Sequence, residues 1–98
     1  MAHTETVTKE RIRIKKPSLF KVVFNNDDKT PMDFVIEVLM VIFHHDQKTA
    51  EHITMDIHNK GKGIAGVYNY EIVEQKTAET TAAARHNGFP LTVSVEPE

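Results

Sequence analysis

The run at 31–43, PMDFVIEVLMVIF, holds only two charged residues, Asp33 and Glu37. Val35, Leu39 and Ile42, with Val38 and Phe43, fall at the i, i+3/i+4, i+7 spacing of a buried helix face. Most remaining positions are apolar as well, so the helix must be packed on more than one side. A chain of 98 residues has room for one domain and a modest core. Function then belongs on the surface or in a shallow pocket. The chain has no cysteine, which excludes disulfides, thiol nucleophiles and thiolate metal sites.

The other elements arrange themselves around that helix. LFKVVFN (19–25) alternates Phe20, Val22 and Phe24 onto one face and Leu19, Lys21 and Val23 onto the other, so it reads as a central or covered strand. Thr30 is expected to cap the apolar helix, with Pro31 in its first position and Asp33 in its first turn. His44, His45 and Asp46 end it, the two histidines at a solvated helix end. Asp46 caps a second helix, QKTAEHITMDIHNK, with Ala50, Ile53 and Ile57 inward and Gly61 closing it in the left-handed conformation. GIAGVYN (63–69) is a second strand, weakened by two glycines. Asn69 caps a third helix over about 70–86, ended by Asn87-Gly88. LTVSVE (91–96) is a third strand, with Leu91, Val93 and Val95 on one face. The order β-α-α-β-α-β predicts an α+β fold: a small sandwich of a three-stranded antiparallel sheet with three helices packed on one face.

The net charge of −2 hides an asymmetry. Residues 1–17 carry five basic and two acidic side chains, net +3, and the remainder seven and twelve, net −5. Pro17 therefore marks the border between an N-terminal tail, 1–17, and a domain, 18–98. The tail is read as a flexible solubilising arm or as a contact for an acidic partner. An acidic body argues against nucleic acid as its ligand. No apolar run reaches the ~20 residues of a membrane span, and MAHTETVTKERIRIKK is no secretory signal. A cytoplasmic monomer is expected.

Between the first strand and the apolar helix lies NNDDKT (25–30), four short polar acceptors in a row. One reading is a stiff turn, Asn26 and Asp27 bonding only their own backbone. The other is a site for a cation. A primary ammonium has three donors and no acceptor, so it needs about three converging acceptors, one of them anionic. Asn26, Asp27 and Asp28 supply such groups, and a neutral histidine from another element could complete the set. Catalytic readings fare worse. No serine lies in a nucleophile elbow, no calcium-loop spacing occurs, and no HExxH pair is present. His52 and His58 are six apart and point to different sides of their helix. No metal or cofactor is expected. The alternatives to a binding role for the seam are a small metal-dependent hydrolase built on His44, His45, His52 and Asp46, or a non-catalytic protein-docking module.

NNDDKTPMDFVIEVL, followed by MDIHNKGKGIAGVY and a late FPL, resembles the ClpS family, the adaptors that deliver N-degron substrates to the ClpAP protease. The likeness runs from about residue 17 to 96. It implies a non-enzymatic adaptor that recognises free N-terminal bulky hydrophobic residues. It also implies that Asn26, Asp27 and His58 hold the α-amino group, while Asp28 and Thr30 shape the rim. Met32, Val35, Thr54, Ile57 and Leu91 would line the side-chain pocket. Glu71 and Lys76 match positions that dock the N-terminal domain of the ClpA unfoldase. On the residues alone they read equally well as an ordinary exposed helix face. The family often places a methionine where this chain has Thr54, so the pocket is expected to be roomier and to favour aromatic first residues over Leu.

Overall fold

The computed structural model describes residues 18–98. The proposed tail, 1–17, lies outside the described residues. Three strands and three helices follow in the expected order: β1 (Phe20–Asn25), α1 (Met32–Val41), α2 (Gln47–Lys60), β2 (Lys62–Tyr68), α3 (Tyr70–His86) and β3 (Thr92–Pro97). The sheet is antiparallel with order β2-β1-β3, so the strand that is apolar on both faces is the central one. Val22 and Phe24 are fully buried on the helix-covered face, and Val23 on the other face is 2% exposed. Val35, Val38 and Leu39 of α1, Ala50 and Ile57 of α2, and Val73 and Ala84 of α3 join that core.

Local chemistry sets most boundaries. Asp46 accepts from the Thr49 N–H (2.8 Å) and Asn69 from the Ile72 N–H (3.1 Å), so both short acceptors cap as their types predict. Gly61 ends α2 at φ 90°, a conformation that an L side chain disfavours. Gly63 serves closeness instead. A Cβ there would stand 2.8 Å from Ile57 Cγ1 and 3.3 Å from the Ile53 carbonyl oxygen, so only hydrogen allows β2 to lie this near α2.

Two expectations about the flanks of α1 need correction. Thr30 does not cap α1. Pro31 takes the cap position in extended conformation (ψ 144°), no side chain caps the helix, and Thr30 is held by Asp27 instead. The helix packs through Val35, Val38 and Leu39, with Phe34, Ile36 and Ile42 partly buried against the same core, and leaves Met40 and Val41 36% and 66% exposed. His45 is not simply solvated. Its Nε2 lies 2.6 Å from the Ala65 carbonyl oxygen, which can only accept, so Nε2 carries the proton. The β1–β2 register shifts between Val22 and Val23, leaving Ala65 without a β1 partner, and His45 reaches that irregularity.

A candidate amine-binding cleft

The seam is built around Asp27. Its Oδ1 accepts from the N–H groups of Lys29 (2.8 Å) and Thr30 (2.7 Å), and its Oδ2 from the Thr30 hydroxyl (2.7 Å). Burial raises the Asp27 pKa. The hydrogen bonds from Thr30 and Lys29, with the positive charge of Arg85, outweigh it and hold the carboxyl below the usual value of 3.8. The turn reading is therefore right for Asp27, yet it does not exhaust the residue. A carboxylate has about four acceptor sites, and the turn fills three.

The main-chain N–H of Asn26 donates to the Gly61 carbonyl (2.9 Å), which fastens the seam to the end of α2. His58, in the last turn of α2, is thereby brought across from Asn26 and Asp27. The three stand on one cavity of about 330 Å³, lined also by Asp28, Thr30, Met32, Val35, Thr54 and Ile57. Asn26, Asp28, His58 and Met32 are exposed, whereas Val35, Thr54 and Ile57 are buried. Polar acceptors thus sit beside an apolar floor. Thr54 adds no free hydroxyl to that floor, because its Oγ1 donates to the Ala50 carbonyl (2.8 Å). What it presents is a stiff, β-branched wall.

Leu91 is the exception among the expected lining residues. At 1% exposure it belongs to the core, because its alternation with Val93 and Val95 puts it on the helix-covered face; it does not line the cavity. Glu71 is exposed at the start of α3. Lys76 is not an ordinary exposed residue. Its Nζ donates to the Ile42 carbonyl (2.6 Å) at the end of α1 and lies 5.6 and 5.4 Å from the ring centroids of Phe43 and Tyr68. The α1 last turn has no basic residue of its own, so Lys76 supplies the cation that a helix C-terminus favours.

A larger hollow, about 450 Å³, is lined by Lys21, Val23, Asp56, Lys60, Lys62, Gly63, Ile64 and Glu96. Its two carboxylates are each paired with a lysine, Asp56 with Lys60 (3.5 Å) and Glu96 with Lys62 (3.6 Å), and Lys21 adds a third cation. It offers no acceptor free of a lysine, so the smaller cavity is the better site for an amine. The hydrolase alternative finds no constellation: among the described residues no three His, Cys, Asp or Glu side chains are placed to hold a metal. No helix among them is long and apolar enough to cross a membrane.

Fold and site together define a small α+β binding module: one cleft, acceptors at its rim and an apolar floor. Comparison with known proteins gives the class its family. Residues 15–94 match the family of the ATP-dependent Clp protease adaptor protein ClpS, and the chain belongs to that family. It is 46% identical over 97 residues to the ATP-dependent Clp protease adapter protein ClpS of Deinococcus radiodurans, covering 99% of this chain and 86% of that one. The Acetivibrio thermocellus adapter is 43% identical over 99 residues, covering all of both chains. Among solved structures, Agrobacterium tumefaciens ClpS2 bound to L-phenylalaninamide superposes with a TM-score of 0.81 at 37% identity, covering 85% of this chain and 100% of that one. The chain is thus an adaptor of the Clp protease, not an enzyme.

Proposed function

We propose that the cleft binds the free N-terminal residue of a substrate protein, and that the adaptor hands such N-degron substrates to the ClpA unfoldase of the ClpAP protease. The observation that carries this is the convergence of Asn26, Asp27 and His58, from two elements, at the mouth of one apolar cavity. An amide oxygen, a carboxylate and an imidazole nitrogen meet the three donors of an ammonium, directly or through a water. The ligand of the Agrobacterium relative supports the reading, since L-phenylalaninamide joins a free amine to an aromatic side chain.

The magnitudes suit an adaptor that must later let go. A hydrogen bond to a charged group contributes roughly 1.5–3 kcal/mol. Two of them separate a free amine from an acetylated one by ~10²-fold or more. Burying a Phe-sized side chain adds about 1.5–3 kcal/mol. Asp28 and Thr30 shape the rim, while Met32, Val35, Thr54 and Ile57 receive the side chain. With Thr54 in the wall, unfilled space around a Leu forfeits contacts that an aromatic ring makes, so Phe, Tyr and Trp are favoured first residues.

Handover uses other surfaces. Glu71, and Lys76 five residues on, contact the N-terminal domain of ClpA, and the charged tail engages the unfoldase. The protein acts as a cytoplasmic monomer. Binding isotherms of peptides that differ only at their first residue, each with a free and an acetylated amine, test the reading. Phe-initiated peptides with a free amine should bind and their acetylated forms should not. Equal binding of Leu and Phe would refute the aromatic preference, and indifference to acetylation would refute the amine site.

A further inference from the structure

Arg85, in the last turn of α3, is exposed, yet its guanidinium is committed to the backbone. Nη1 donates to the carbonyls of Phe89 (2.8 Å) and Leu91 (2.9 Å), closing the loop between α3 and β3. That loop braces the cleft. The Phe89 ring meets Phe34 of α1 edge-on at a centroid distance of 4.9 Å, and Phe34 adjoins Val35 in the cavity wall. At its far end, Asn25 Nδ2 donates to the Thr92 carbonyl (3.3 Å) and to Ser94 Oγ (2.9 Å), and Asn25 directly precedes Asn26. The loop is thus pinned from the α3 side by Arg85 and from the seam side by Asn25.

We infer that Arg85 is a positioning residue of the cleft, clamping the loop behind the α1 wall. This rests on the amine-binding reading of the cleft. Asp27 shares the cleft with Asp28 and with His58 from α2, and Lys29 stands on its own turn. The hydrogen bonds from Thr30 and Lys29 lower the Asp27 pKa, and the positive charge of Arg85, from α3, adds to them. Both bonds come from Nη1, which the planar guanidinium fixes in direction and which stands one atom farther out than a lysine ammonium. Clamp and charge are therefore separable by substitution: Arg85→Lys keeps the charge and loses the clamp, and Arg85→Gln loses both.

Two readouts test the inference. The first is titration of the Asp27 side-chain carboxyl by NMR in the free protein. Its midpoint should rise in Arg85→Gln and stay near the wild-type value in Arg85→Lys. The second is affinity for a free-amine, Phe-initiated peptide at pH 7, with folding checked by circular dichroism. Both variants should bind about tenfold more weakly, the scale of one lost hydrogen bond to a charged group. Wild-type affinity in Arg85→Lys overturns the inference, and so does an Asp27 midpoint that moves as far in Arg85→Lys as in Arg85→Gln, because the lost affinity would then not be assignable to the clamp. If Arg85→Gln does not fold, the Arg85→Lys affinity decides. Wild-type protein that binds no such peptide would instead sink the amine-site reading, while the Asp27 titration would still report on Arg85.

Discussion

The N–H of Asn26 and the carbonyl of Gly61 lie 2.9 Å apart in a hydrogen bond that joins the end of β1 to the end of α2. Thirty-five positions separate the two residues in the chain. The bond sets Asn26 and Asp27 facing His58, and Gly63, two residues beyond the glycine, lets α2 settle onto β2 behind them. The cleft is a consequence of where two elements stop.

Asp27 has two tasks, and its variants should separate them. Asp27→Ala removes three hydrogen bonds from the turn. It should lower stability by about 1–3 kcal/mol as well as abolish binding of a free-amine peptide. Asp27→Asn keeps one side-chain oxygen as an acceptor and loses the charge. Its affinity should fall by roughly tenfold or more with a smaller loss of stability. Urea unfolding and peptide titration on both variants read the two effects.

Asp27 also gives the stability a pH signature. Its folded pKa is depressed below 3.8, so its contribution is fully present above the unfolded value and is lost as pH falls through the folded one. Asp46, lowered by its cap bonds with Thr49, acts in the same direction. Wild-type stability should therefore fall below about pH 4, and the fall should be shallower in Asp27→Asn. Urea midpoints measured from neutral pH down into that range would show it.

Gly63→Ala places a methyl group 2.8 Å from Ile57 Cγ1, next to a backbone carbonyl that cannot move far. Overpacking of this kind costs about 1–3 kcal/mol. Because Ile57 forms part of the cleft floor, peptide affinity should fall along with the melting temperature. An unchanged affinity would show that the floor tolerates displacement of α2.

Lys76→Ala removes the hydrogen bond to Ile42 and the cation over Phe43 and Tyr68. A loss of about 1–2 kcal/mol is expected, with peptide affinity unchanged because Lys76 does not line the cleft. Thermal unfolding and peptide titration check both parts. Any effect on unfoldase docking has to be read against that stability loss.

The features legible in the sequence were those decided locally. Asp46, Asn69 and Gly61 mark helix ends because a cap acts over three or four residues. The two apolar faces of β1 announced a central strand. What escaped the residues alone depends on contacts distant in sequence or on competition between neighbours. Thr30 is a good cap by type, but Asp27 captured both its N–H and its hydroxyl first. Lys76 reads as exposed by helical period, and its partner Ile42 lies 34 residues away. His45 finds a carbonyl at a register shift in β2 that no motif marks. The resemblance to the ClpS family named nine residues that share one cavity, and Leu91, which does not join them, lies in the core.

The central claim is that Asn26, Asp27 and His58 together hold a protonated amine above an apolar floor. The most direct measurement is a two-dimensional amide NMR titration with L-phenylalaninamide and, separately, with its N-acetylated form. Free-amine ligand should shift the signals of Asn26, Asp27, Thr30, Thr54 and His58, and the acetylated ligand should leave them in place. Equal shifts from both ligands, or shifts confined to residues away from this cleft, would contradict the account.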